Sequence, residues 1–342
     1  MVVGYHLNLY FGKVVDAWSM PLIGQLGHAG VDLFFVVSGA IMWYTTQGLR
    51  GPRDSAAFLY RRAVRIFPVY WFFLLAQTLV VLATNPGNLK WVNYLKAITL
   101  VPAAHYFLPV AWTLTYELIF YILFALLILL PRKKAAGIVL AMAGLAVLLA
   151  ALGLDRAVHR HVSLVFFLEF FGGCAAAALA LNHPGRFARL SLVLGLTAFA
   201  VAAGWQHQTG SVIAHPEWFR VATFGTASVL LVHGAIGLER SVTAPPALVR
   251  AGEWSYTMYL LHAVLITGLL GLDLPTIYGL SAVSQGAFLV ASTVATVLFP
   301  ALFAERVELP LYRSLRGLAW PRPAPGARPG SVAVPSPVRQ GA

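Results

Sequence analysis

Trp112-Thr113-Leu114-Thr115-Tyr116-Glu117-Leu118-Ile119-Phe120-Tyr121 runs unbroken into an apolar stretch that ends at Arg132-Lys133-Lys134. Such a run is long enough to cross a hydrocarbon core of about 30 Å as a helix. It also carries one ionisable carboxylate, Glu117, about two turns inside the apolar region. A carboxylate at that depth costs about 3 kcal/mol on insertion scales, so it is expected to face the bundle interior and to have a partner. The stretch therefore reads as a membrane span that carries part of a site.

Working outward, the whole chain supports that reading. Of its 342 residues 59% are hydrophobic and 11% charged, with a mean hydropathy of +0.76. A soluble domain carries about 25% charged residues. Ten apolar runs stand out, at 1–15, 28–46, 64–84, 110–130, 135–153, 163–181, 188–205, 218–237, 254–272 and 283–303. No internal repeat suggests the inverted halves of a transporter. With the N-terminus placed in the cytoplasm, 18 of the 24 basic residues fall in inside loops or the C-terminal region. The positive-inside rule gives that bias for an even number of spans with both ends inside. It accounts for the net charge of +12 without a nucleic-acid partner. The expected fold class is all-α, a polytopic membrane helical bundle of about ten spans with both termini cytoplasmic. Residues 1–319 form the membrane-embedded domain, and residues 320–342, rich in Pro and Gly, form a disordered tail. The lone cysteine, Cys174, excludes a disulfide framework. No Cys/His spacing within a span fits a metal, so no catalytic metal is expected.

Intramembrane polar residues then mark candidate sites. Counting along each span puts His6, Asp32, Glu117 and Glu169 at similar depth in the outer half of four different helices, with Ser38 deeper. Each has a bland reading: a helix cap for Asp32, a packing contact for Ser38-Gly39, an ion-pair partner for Glu169. Their common depth points to one polar chamber opening outward. At the opposite membrane face, Arg61-Arg62-Ala63-Val64-Arg65 places Arg61 and Arg65 on one helix face at i, i+4. Arginine forks bind phosphate bidentately, so the element fits a clamp for a phosphorylated donor, although simple interface anchoring also explains it. A third cluster, Ser255-Tyr256-Thr257-Met258-Tyr259-Leu260-Leu261-His262, places Ser255, Tyr256 and Tyr259 where they can line a channel, with His262 near mid-membrane. A phosphorylated donor on one side and an acid/base chamber on the other define transfer of a group across the membrane plane.

Taken in order, these motifs resemble the acyltransferase-3 family. They are Val2-Val-Gly-Tyr-His6, Gly30-Val-Asp-Leu-Phe-Phe-Val-Val-Ser-Gly39, Arg61-Arg-x-x-Arg-Ile-x-Pro-x-Tyr-Trp71, Trp112-Thr-Leu-x-x-Glu117 and Ser255-Tyr-x-x-Tyr-Leu-x-His262. The family consists of bacterial membrane proteins that O-acylate surface glycans. The resemblance implies an O-acyltransferase, by default an O-acetyltransferase of the bacterial inner membrane. Its co-substrate is an acyl-CoA, with no bound cofactor; its partners are membrane lipid, the donor and a glycan acceptor. It implies His6 as the catalytic residue and Arg61, Arg62 and Arg65 as the acyl-CoA site, and its Trp-Thr-Leu-x-x-Glu acid falls on Glu117. It also implies an arginine eleven residues before His6, which lies before Met1; the first span is therefore expected to be truncated.

The expected mechanism has His6 as general base on a glycan hydroxyl, with Glu117 and Asp32 orienting its imidazole. Ser38, Trp112, Glu169, Ser255, Tyr256, Tyr259 and His262 line the chamber or the donor channel. An acyl-histidine intermediate is a variant of this scheme. The alternatives are a flippase of a lipid-linked sugar using the acids as a proton relay, and a structural subunit of an export complex.

Overall fold

A computed structural model of the chain describes residues 2–6, 27–154, 156, 161–209, 217–239, 241–271, 291, 294–296 and 298–318. The expected runs at 1–15 and 283–303 lie largely outside these residues, and the tail at 320–342 lies wholly outside them. The described residues fold into helices and no strand. In chain order these are α1 (Gly30–Thr45), α2 (Gly51–Thr84), α3 (Trp91–Thr99), α4 (Ala111–Ile128), α5 (Arg132–Ala151), α6 (Phe166–Asn182), α7 (Ala188–Thr209), α8 (Glu217–Leu238), α9 (Pro246–Gly271) and α10 (Leu309–Leu318). Helices α2, α4, α5, α7 and α8 are each long and apolar enough to cross a membrane. An all-helical membrane protein is what composition and patterning lead one to expect.

Burial ranks the helices. Within the apolar window of α4, 67% of residues are buried, against 6% in α5. The helix carrying Glu117 is therefore the centre of the bundle, and α5, apolar all round, presents its side chains to lipid. Around α4 an aromatic stack forms the core: Phe35 of α1 stacks on Phe170 of α6 at 4.7 Å, and Phe170 on Phe120 of α4 at 4.1 Å. Lipid tails are as apolar as leucine, so close packing rather than water exclusion joins such helices. Helices α1 and α6 show how. A Cβ at Gly39 would overlap the Phe170 carbonyl, and one at Gly173 would overlap the Val36 carbonyl. Two glycines thus let the two backbones touch, and the Cys174 thiol donates to Gly39 O across the seam at 3.2 Å.

Helix α2 is the exception to span-sized length. Its 34 residues extend about 51 Å, well beyond a hydrocarbon core of about 30 Å. It begins where the backbone N–H of Arg50 donates to Asp54 Oδ2 at 2.8 Å and Pro52 occupies the first turn. The excess is its charged N-terminal stretch, residues 51–65, which holds Arg53, Arg61, Arg62 and Arg65. A short helix, α3, occupies what the sequence reads as a loop. Its C-terminal end is pinned to α2 by the Tyr70 hydroxyl donating to Ala97 O at 2.7 Å and the Trp71 indole donating to Ile98 O at 2.9 Å. Its exposed Trp91, Val92 and Leu95 suit an interfacial position. Nine residues are too few for an apolar-run search to detect.

Two helices contain π-helical turns, Val221–Gly225 within α8 and Ala304–Glu308 leading into α10. Such bulges concentrate at functional sites. Both adjoin buried carboxylates.

Candidate functional site

Three polar clusters occupy the bundle. The first centres on His6. Residues 2–6 are helical, and the His6 Nδ1 lies 3.0 Å from Val2 O and 3.2 Å from His262 Nε2. The His262 Nδ1 in turn lies 3.2 Å from Met258 O, one turn back along α9. Beside this pair opens a cavity of about 430 Å³, lined among others by Tyr5, His6, Trp112, Tyr116, Arg220 and Tyr259. Its walls are set by hydrogen bonds between helices. The Tyr259 hydroxyl donates to Val110 O at 2.9 Å and pairs with Thr113 Oγ1 at 2.7 Å, while the Tyr116 hydroxyl accepts from the Ser163 N–H at 2.7 Å.

The second cluster forms the side of that cavity. Arg220 grips Asp32 with both arms: Nε donates to Oδ1 at 2.9 Å and Nη2 to Oδ2 at 2.7 Å, while Nη2 also donates to His28 O at 2.9 Å. Asp32 is completely buried. A bidentate guanidinium–carboxylate pair is among the few arrangements that tolerate such burial. Glu169, also buried, interacts with both members of the pair. Its carboxyl rests against Gly225 of the π-helical turn, where an added Cβ would stand 2.7 Å from Oε1. A larger residue there would have to push the Glu169 side chain aside.

The third cluster lies toward the arginines. The Tyr121 hydroxyl and the Ser38 hydroxyl both donate to Glu117 Oε1, the latter at 3.3 Å. The Arg62 guanidinium sits 5.5 Å over the Tyr121 ring and 5.5 Å over Phe58, and donates to Thr45 Oγ1 at 2.9 Å. Arg62 and Arg65 both act electrostatically on Glu117. Arg65 binds the buried Glu308 at 2.7 Å, and the Thr257 hydroxyl donates to the other Glu308 oxygen at 2.5 Å. Tyr256 flanks Arg65, with its ring 6.0 Å away, and donates to Ile66 O at 2.9 Å. Arg61 has Arg62, Arg316, Tyr312 and Asp54 as electrostatic neighbours and no ion pair among the described residues.

The single outer chamber expected from counting residues is therefore divided. His6 meets His262, Trp112 and Tyr259. Asp32 and Glu169 meet Arg220. Glu117 and Ser38 meet Tyr121 and Arg62. Neither Glu117 nor Asp32 bonds to the His6 imidazole, whose hydrogen-bonding neighbours are Val2 O and His262 Nε2. Asp32 reaches the His6 cavity only through Arg220. Counting depth along spans misses this because α2 carries Arg62 and Arg65 about three to four turns inside the helix, close enough to act on Glu117. Ser255 is exposed and donates to Gly252 O at 2.7 Å. Arg220, at the very start of the 218–237 run, reads as a loop charge, and Glu308 lies just past the 283–303 run. The stretch Glu217-Trp-Phe-Arg220, charge-bearing and running into a span, was the available signal for Arg220.

With this geometry in place, similarity to known proteins becomes informative. A family model described as an acyltransferase domain matches residues 1–305. The chain belongs to the acyltransferase-3 family. It is 32% identical over 265 residues to the exopolysaccharide production protein ExoZ of Rhizobium meliloti, covering 71% of this chain and 77% of that one. It is 25% identical to the acyltransferase MdmB of Streptomyces mycarofaciens, over 86% of this chain and 83% of that one. It is also 25% identical to nodulation protein 10 of Rhizobium leguminosarum, over 88% of this chain and 86% of that one. No solved structure matches it. Family membership makes the chain an acyltransferase, and with its apolar helices it is a membrane protein.

Proposed function

We propose that this acyltransferase moves an acyl group, acetyl by preference, from a cytoplasmic acyl-CoA to a hydroxyl of a surface glycan of the exopolysaccharide type. In this reading the protein is a ten-span bundle of the bacterial inner membrane with both termini cytoplasmic. The observation that carries the reading is the face of α9 that bears Tyr256, Tyr259 and His262. These residues are spaced three apart and rise about 9 Å along the helix. They run from Arg65 at one end to His6 at the other. A donor held by its phosphates at the arginines would send its pantetheine arm along that face to the His6 cavity.

There His6 acts as general base. The acceptor oxygen attacks the thioester carbonyl and its proton passes to the imidazole. The C–S bond then breaks, and the proton leaves with the sulfur as the CoA thiol. A positioned base contributes about 10²–10⁴ in rate. Among the arginines Arg61 is the one free to take phosphate, because Arg65 is engaged by Glu308 and Arg62 lies on two aromatic rings. The ExoZ resemblance supports an exopolysaccharide acceptor.

The experiment is transfer from labelled acetyl-CoA in membranes carrying the protein, read on the host's surface glycan. His6→Ala should abolish transfer. Arg61→Gln should raise the donor KM about tenfold with kcat little changed. Full activity in His6→Ala removes the base; an unchanged donor KM in Arg61→Gln removes the clamp.

A further inference from the structure

The paired histidines, His6 and His262 of α9, can be protonated in only one way that satisfies their surroundings. His6 Nδ1 faces a carbonyl, Val2 O, at 3.0 Å, and His262 Nδ1 faces another, Met258 O, at 3.2 Å. A carbonyl oxygen only accepts, so in the neutral rings both Nδ1 atoms must carry the hydrogen. A neutral imidazole has one N–H, which leaves His262 Nε2 with a bare lone pair. That lone pair lies 3.2 Å from His6 Nδ1, where it accepts a share of the same N–H. The remaining ring nitrogen, His6 Nε2, is then bare as well. No described residue bonds to it, and His6 lines the cavity of about 430 Å³. The reverse assignment would point ring lone pairs at both carbonyls at once.

We infer that His262 is the positioning residue for His6: by accepting from Nδ1–H it fixes the tautomer whose Nε2 is the base. This rests on the assignment of His6 as general base. In catalytic triads a carboxylate holds the imidazole from behind in this way. Here α9 supplies a second imidazole, and His6's own helical turn supplies a main-chain carbonyl, Val2 O, instead. When His6 takes the acceptor's proton on Nε2, its Nδ1–H keeps two acceptors, Val2 O and His262 Nε2, that share the new positive charge. His262 itself touches no substrate and transfers nothing. It is held by its own Nδ1–H on Met258 O and packs against Tyr259, with ring centroids 5.6 Å apart. The sequence places these residues within one turn of each other on α9, so the device depends on helix geometry rather than on a loop.

The test compares three variants of the full chain in membranes with acetyl-CoA as donor. His262→Leu fills the space without an acceptor; His262→Gln offers an amide oxygen to Nδ1–H. Expected are a kcat loss of about 100-fold in His262→Leu with donor KM within twofold, recovery to within about tenfold of the parent in His262→Gln, and no activity in His6→Ala. Equal kcat in the Leu and Gln variants, with His6→Ala inactive, overturns the positioning role and leaves the base assignment standing. An active His6→Ala overturns the base assignment and this inference with it. Ring 15N spectra of the parent, with His6 assigned by difference from His6→Gln, need no tolerated substitution at 262. A protonated Nδ1 and a bare Nε2 at His6 are expected, and the opposite tautomer refutes the inference.

Discussion

The Arg65 guanidinium, partly open to solvent, holds the carboxylate of Glu308, which is only 1% exposed, at 2.7 Å. The pair joins the arginine-rich turn of α2 to the π-helical turn ahead of α10. Arg65 was expected to serve a donor; it serves the fold first. Taking one partner from a buried pair leaves an uncompensated charge, which costs on the order of 3–5 kcal/mol.

Arg65→Gln should therefore lower the thermal midpoint of the detergent-solubilised protein sharply, before any effect on donor binding is considered. Arg65→Gln with Glu308→Gln should recover most of that loss, because two neutral amides can bond to each other and to Thr257. The measurement is a melting curve followed by fluorescence-detected size exclusion. A double variant as unstable as the single one would mean that the pair is not what Arg65 contributes.

The seam between α1 and α6 gives a sharper contrast. Gly39→Ala or Gly173→Ala sets a methyl group against a backbone carbonyl of the facing helix, where nothing flexible can yield. Overpacking of this kind costs about 1–3 kcal/mol or more. Gly144→Ala on the lipid-facing α5 meets nothing within 4 Å and should be neutral or stabilise by up to about 1 kcal/mol. Comparable melting curves for the three variants would rule out close backbone contact at the seam.

These contrasts show what the sequence made legible and what it did not. The apolar runs at 110–130, 163–181 and 218–237 lie within a few residues of α4, α6 and α8, because hydrophobic length is a local property. The aromatic and small residues that pack α1 on α6 were visible as composition. Which polar residues meet was not visible, because relative depth depends on where each helix begins. The sequence showed an apolar run at 64–84, yet α2 starts thirteen residues earlier, and that offset carries Arg62 and Arg65 to the level of Glu117. His262 lies 3.2 Å from His6, a meeting that no spacing along the chain predicts. Arg220 and Glu308 escaped because charges at the edge of an apolar run look solvated.

Asp32 and Arg220 should respond unequally to substitution. Arg220 interacts with two buried acids, so Arg220→Gln strands both Asp32 and Glu169 without a cation. Asp32→Asn leaves Arg220 with Glu169 as its counter-ion. The expectation is that Arg220→Gln prevents accumulation of folded protein, whereas Asp32→Asn folds and loses only part of its activity, because Arg220 still borders the His6 cavity. Equal yields of the two variants, measured by size exclusion from the same membranes, would contradict that asymmetry.

Glu117 is the last case, and the one where geometry departs furthest from expectation. An acid that oriented His6 would, when neutralised, lower kcat by orders of magnitude and leave donor affinity alone. Its bonds point elsewhere: Tyr121 and Ser38 donate to it, and the Tyr121 ring carries the Arg62 guanidinium on its face. Neutralising Glu117 therefore removes a counter-charge from the arginine cluster. Glu117→Gln keeps a side-chain oxygen for both donors, so the bundle should hold. The donor KM should rise about three- to tenfold, with kcat within about threefold of the parent. Tyr121→Phe should follow in the same direction with a smaller change, since it leaves the charge in place and removes only one of two donors. Steady-state kinetics with varied acetyl-CoA separate the two roles. A hundredfold fall in kcat at unchanged KM would return Glu117 to the imidazole's side of the site.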